Sequence, residues 1–337
     1  MPVPAHLAGM TSDSPPTDRV LPTAPPTIRA GDPSEVLGVI PYLVGFLPAD
    51  DLVVVLLADR CVVVTARMDL ASVPDGGELA QQVEDLADLH GADAAVVVAY
   101  CADPEPVAAL FEGLPERLDG VRLVDLLHVD GRRWWSWLCS AGCCPPEGRP
   151  YDVASSRTAA AAVFAGLTTL PSRDSLAELV RPEPATEERV GLYETVAGDL
   201  LPLGPDAAAR VVARVEALCA ADELPDEQAA AELAVSLFDV GVRDAVWGAQ
   251  TRSGAARAVG LWSRVSRLAL PPFRVAPVCQ LATAAWLSGD GALMSVCLET
   301  LEAEGEENRL VAVLDSINRL GLPPSWWDEP GAGRTTG

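Results

Sequence analysis

The sequence predicts a mixed-sheet α/β domain followed by an all-helical domain, and three observations carry that reading. Residues 52–57, 61–68 and 94–100 are short runs of branched apolar residues, the pattern of strands covered on both faces. Between and after them lie stretches whose apolar residues recur at helical spacing. From residue 187 to 319 no segment reads as a strand.

Taken in order, Asp32-Pro33-Ser34-Glu35 opens a short capped helix that Pro41 is expected to kink or end. Asp50-Asp51 leads into the first strand, and Asp59-Arg60 turns it into the second, a hairpin whose first strand should be central. Leu79, Val83, Leu86 and Leu89 mark a helix over 78–89, residues 94–100 a buried strand, and 106–118 a further helix. Residues 121–129 and 133–138, joined by Asp130-Gly131, form a second hairpin. The segment 142–150 holds three prolines and two glycines and is expected to lack regular structure. Helices are expected at 155–170 and 172–180, before the rigid Arg181-Pro182-Glu183-Pro184 linker. Beyond it helices are predicted over 187–200, 206–221, 226–238 with a continuation to 247 left open, 254–268, 274–287, 291–303 and 308–320. The breaker Ser288-Gly289-Asp290-Gly291 makes part of this region tetratricopeptide-like, although no 34-residue period runs through it. The expected organisation is a disordered proline-rich tail at 1–29, the mixed α/β domain at 30–183, the all-helical domain at 184–327 and a flexible tail at 328–337.

Composition narrows the chemistry. The 24 basic residues are all arginine, against 48 acidic ones, so every lysine-dependent mechanism is excluded: the Walker phosphate lysine, the Schiff-base lysine and the kinase strand lysine. A net charge of −24 disfavours phosphate backbones and anionic lipid, so nucleic acid is an unfavoured partner. The longest apolar run is far below the roughly 18 residues a membrane span needs, and no signal peptide is legible. Eight scattered cysteines read as free thiols, and the expected location is the cytoplasm.

Two segments resemble a known family. Pro41-Tyr42-Leu43-Val44-Gly45-Phe46-Leu47-Pro48-Ala49-Asp50-Asp51, preceded by Ser34, and Cys143-Cys144-Pro145-Pro146-Glu147-Gly148-Arg149-Pro150-Tyr151-Asp152 are similar to the two hallmarks of an actinobacterial family known as domain of unknown function 4192. The closing Gly321-Leu322-Pro323-Pro324-Ser325-Trp326-Trp327 is similar to that family's ending. Leu47 stands where the family often has histidine and Asp51 where it usually has serine. The resemblance implies a fold and carries no activity.

The candidate ligand-binding residues are Arg149, Glu147, Asp152, Asp50, Asp51, Cys143 and Cys144. Glu147, Arg149 and Asp152 place two carboxylates and a guanidinium on one rigid loop, where the arginine either holds an anion or locks the loop. Asp50 and Asp51 suit turn or capping duty as well as metal or base chemistry. Cys139, Cys143 and Cys144 lack paired zinc-ligand spacing, so no metal and no cofactor is expected. Trp135 and Trp137 share a strand face and form a candidate interaction surface. Arg257, Arg264 and Arg267 belong to a +5 stretch over 243–274 that could dock on the −11 stretch over 69–119, within the chain or in a second copy. The function this supports is a non-catalytic binding or scaffolding module that takes a protein partner or self-associates. The alternative is an enzyme or anion- or nucleotide-binding module with its site on the Cys143 to Asp152 loop. A pocket joining Arg149, Asp152 and Asp50 would favour the alternative, and an apolar or tryptophan-lined groove on the helical domain the binding module.

Overall fold

The computed structural model describes residues 28–328 apart from 140, 141, 143, 166, 306 and 307. Helix α1 (Pro33–Val44) starts where Asp32 accepts a hydrogen bond from the Glu35 amide, and it ends at Gly45, whose φ of 83° only glycine adopts without strain. Pro41 does not end it. The Leu37 carbonyl loses its helical donor there, yet Leu37, Ile40, Pro41 and Val44 are all buried, and that packing holds the last turn in place.

Strands β1 (Asp51–Ala58) and β2 (Cys61–Asp69) form the expected hairpin, and β3 (Ala94–Tyr100) and β4 (Arg122–Val129) form the parallel pair. With β5 (Arg133–Ser136) and β6 (Arg149–Pro150) they make one six-stranded sheet in the order β2-β1-β3-β4-β5-β6. β6 corrects the expectation of an irregular 142–150 loop. Arg149 pairs with Trp134 and Pro150 with Arg133, and the proline is tolerated because β6 is the sheet's edge.

Each face of the sheet is covered. Leu52, Val54, Leu56, Val97 and Leu126 pack under α2 (Gly76–His90), α3 (Pro104–Phe111) and α4 (Leu114–Arg117). The single helix expected over 106–118 is two, because Gly113 takes a φ of 68° between them. Val53, Val55, Val98, Tyr100 and Trp134 face the other way, toward α1. There Gly38 lets α1 touch α5 (Arg157–Phe164): a Cβ at position 38 would lie 1.9 Å from the Ser156 hydroxyl. α5 and α6 (Arg173–Ala177) are shorter than the helices expected over 155–170 and 172–180.

The same apolar cluster runs on through Leu176 and Val180 into the helices that follow. These are α7 (Glu187–Leu200), α8 (Ala207–Ala221), α9 (Glu227–Ser236), α10 (Val240–Ala249), α11 (Ala255–Leu268), α12 (Val275–Ser288), α13 (Gly291–Ala303) and α14 (Arg309–Arg319). The helix predicted over 226–238 is α9, and it does not continue to 247, since Asp239 accepts from the Val242 amide and starts α10 as its N-cap. α11 to α14 pack in succession, joined by short connections that reverse each on the last. Asp290 caps α13 by accepting from the Leu293 amide at 2.9 Å.

Burial lifts the Asp290 carboxyl pKa above its ordinary value. A native pKa above the unfolded one means the native state takes up the proton first, so this group favours folding more as pH falls through that window. Asp290→Asn keeps a capping oxygen without a charge. It should leave stability at pH 7 unchanged or raise it slightly, whereas Asp290→Ala should cost about 0.5–2 kcal/mol. Urea denaturation of both variants at pH 7 and in mild acid checks this. The Asp290→Asn advantage should vanish in acid.

Candidate functional site

Two cavities border the sheet. The smaller, about 360 Å³, lies where the start of α1 meets the start of α5 and is lined by Ser34, Glu35, Trp134, Tyr151, Asp152 and Arg157 among others. It does not gather the residues singled out from sequence. Asp152 accepts from the Ala154 amide at 3.0 Å and so shapes its own turn. Arg149 and Glu147 are exposed, and the Arg149 guanidinium lies 5.7 Å from the Trp134 ring centre. The loop is tied down by other residues: Arg133 donates to the Gly148 carbonyl at 2.9 Å, and the Trp135 indole to the Pro146 carbonyl at 3.1 Å. Cys144 packs half-buried against the core, and Cys143 lies outside the described residues.

Asp50 is exposed at a φ of 58°, and its carbonyl accepts from the Leu70 amide, which is turn duty as expected. Asp51 departs from that expectation. It is the first residue of β1, 1 % exposed, and accepts from the Arg67 Nε at 2.6 Å and the Ala49 amide at 2.8 Å. Arg67 also bonds Asp69 and lies 5.8 Å from the centre of the Phe46 ring, so it links exposed Asp69 to buried Asp51. Burial outweighs these partners and raises the Asp51 pKa. Beside it the Tyr100 and Tyr151 phenols face one another, and burial raises both, Tyr151 to about 12. Both phenols therefore stay protonated at neutral pH. His128 stacks on Trp135 with ring centres 5.3 Å apart, and its Nε2 lies 2.7 Å from the Cys101 carbonyl. Ser136 donates to Asp125 at 2.6 Å.

Trp137 remains 42 % exposed, edge-on to Phe111. Arg257 is exposed on α11. Arg264 and Arg267 both pair with Glu183, at 3.1 and 3.3 Å. Arg274 pairs with Glu304 and Arg252 with Asp328, so among the described residues the ion pairs of this basic stretch do not reach the 69–119 carboxylates. Within the chain, Arg243, Arg252, Arg264, Arg267 and Arg274 each pair with a carboxylate outside 69–119.

The larger cavity, about 700 Å³, was not foreseen. It is a groove running along β2, the edge strand, which among the described residues is hydrogen-bonded to β1 alone. One wall is α2, with Gln82, Asp85, Leu86 and Leu89. The other is built from the end of α1, Arg173, Trp286, and the α13 and α14 residues around Met294, Ser295, Ile317 and Asn318, continuing to Pro324. The walls belong to opposite faces of the sheet, because α2 packs in one apolar cluster and α13 and α14 in the other. They meet around the edge, where the His90 Nε2 lies 3.3 Å from the Leu320 carbonyl. Val62, Val63, Leu89 and Leu320 are each at least 39 % exposed, and all four line this groove. Sequence held one signal for it. The second hairpin strand opens with the apolar run Cys61-Val62-Val63-Val64, which an edge strand with a solvated rim need not carry.

Among the described residues no group of three or more His, Cys, Asp or Glu side chains could hold a metal, and no helix is long and apolar enough to cross a membrane. The architecture is thus a six-stranded mixed sheet fused to a helical region, with a groove at the sheet's edge. The chain belongs to the family described as domain of unknown function (DUF4192), whose model matches residues 33–325. No curated protein and no solved structure matches it.

Proposed function

We propose that this chain is a non-catalytic binding module whose ligand site is the groove along β2. One observation carries the reading: four large apolar side chains that would otherwise be a solvation cost, Val62, Val63, Leu89 and Leu320, converge on one cavity of a size typical of ligand sites. Trp286 adds an aromatic wall from the helical region. An enzyme or anion site on the Cys143 to Asp152 loop has less support, because Asp152 is spent on its own turn and Arg149 lies over Trp134. A soluble protein that binds through this groove fits a cytoplasmic setting and a protein partner.

The test is an apolar dye. Anilinonaphthalene sulfonate should fluoresce with the native chain, and Leu89→Glu or Leu320→Glu should each cut the signal several-fold while leaving the thermal midpoint in place, both side chains being half exposed. Phe164, 96 % exposed on α5 and outside the groove, supplies the control. A signal lost in Phe164→Glu and retained in both groove variants would refute the assignment.

A further inference from the structure

We infer that the occupant of the groove is an extended segment of a partner polypeptide, added beside β2 as a seventh strand. This rests on the binding-module reading and names its ligand class. The first argument is the edge itself. Among the described residues β2 pairs only with β1, so the outward backbone amides and carbonyls of its rim face the groove. An acyl chain or other apolar small molecule laid there would strip water from those groups and offer nothing in return, at a cost of a kilocalorie or more for each. A strand satisfies them and leaves its side chains to the walls.

The walls define the segment. Successive side chains of a strand alternate between sheet faces. On one face they would meet Leu86 and Leu89. On the other they would meet Thr65, Ser295 and Asn318, with Leu320 exposed at the end of that wall and Trp286, Met294 and Ile317 buried behind it. Arg67 and Arg173 already hold carboxylates of this chain, Asp51 and Asp69 for the first and Glu299 for the second, so no acidic residue is required of the partner. The matching ligand is proline-free and alternates apolar with small neutral polar residues.

Length and copy number follow from two local features. The register of β1 and β2 slips between Leu56 and Leu57, leaving Val63 as a bulge, so the regular part of the edge is Val64 to Asp69, a rim of about 20 Å at roughly 3.3 Å per residue. The contact of His90 with the Leu320 carbonyl closes the walls around the edge. A second copy would have to bring its own two walls into this space, whereas a single strand of five or six residues does not. The partner is therefore a short extended segment and not the β2 edge of another molecule.

The experiment uses the full chain and a displayed library of random heptapeptides, counter-selected on the Leu89→Glu variant. Selected peptides should share apolar residues at alternate positions. One of them, synthesised with a single N-methyl group at each amide in turn, should lose about tenfold or more in affinity at every second amide and little at the others, the pattern of a strand bonded along one edge. Loss at neighbouring amides alike, or at none, overturns the strand inference. So does failure to select any peptide while the dye still binds the wild-type groove and not Leu89→Glu, an outcome that leaves the groove assignment standing. If the dye result also fails, both fall.

Discussion

Replacing Trp327 by alanine should destabilise the chain by about 3–5 kcal/mol, the range for removing a fully buried aromatic side chain. Trp327 is 1 % exposed although it lies only one residue from the end of the described chain. Its indole donates to the Gln250 carbonyl at 2.9 Å, and its ring meets Trp247 and Trp286 edge-on, with centres 4.9 and 5.7 Å apart. Trp286 in turn donates to the Leu322 carbonyl at 2.7 Å. The segment after α14 is thus pinned across α10 and α12 by two indole hydrogen bonds and a filled aromatic cluster. Leu322, Pro323 and Pro324 also line the β2 groove, so loosening this segment should lower dye binding together with stability. Trp327→Phe retains most of the packing and loses the hydrogen bond, and should cost less than half as much. Denaturant unfolding separates the two. Equal and small losses in both variants would show that the segment does not brace the helices.

The elements were largely legible because their signals are local. The branched runs of β1 and β3 are buried on both faces, and α7 and α13 start where Thr186 and Asp290 cap them. What failed depended on partners far along the chain. Pro41 stays helical because the turn around it is buried. Arg149 and Pro150 become a strand because β5 offers them an edge, and Arg133 and Trp135 hold the loop there. The continuation of the 226–238 helix to 247 stops at Asp239, where capping competes with an apolar pattern that runs straight through.

The groove was illegible for a related reason. Its lining comes from β2, α2, Arg173, the junction of α12 and α13, and the end of α14 with the segment after it, so no window of sequence contains a motif. Sequence showed that the chain leaves β2 through a helix and returns as β3. It could not show that β3 would pair on the far side of β1, which is what leaves β2 without a neighbour. The loop that did look like a site, Cys143 to Asp152, drew attention because prolines and charged residues crowd it. Much of that crowding serves a tight turn: Gly148 has a φ of 76°, and a Cβ there would come within 2.5 Å of the Trp135 ring.

Arg67→Ala should cost about 3–5 kcal/mol at neutral pH, because it strips the cation from a carboxylate that has almost no access to water. Asp51 and Arg67 are sixteen positions apart and become neighbours only through the hairpin register, in which Asp51 faces Asp69 and Val53 faces Arg67. With Arg67 present, burial still raises the Asp51 pKa above its ordinary value, so the native state is already the better proton binder. Without Arg67 the rise must be larger. The sign is then fixed: as pH falls from neutrality the variant's Asp51 takes up a proton in the native state first, and the penalty shrinks across a window lying above the ordinary aspartate range. Asp51→Asn in the Arg67→Ala background removes the charge altogether and should recover much of the lost stability at pH 7, with a flatter pH profile. Urea titrations of the two single variants and the double variant between pH 4 and 8 give the coupling directly. A single-variant penalty that is small and indifferent to pH would mean that the pair contributes nothing to holding the β1 and β2 hairpin, and that the rim of the groove is fixed by packing alone.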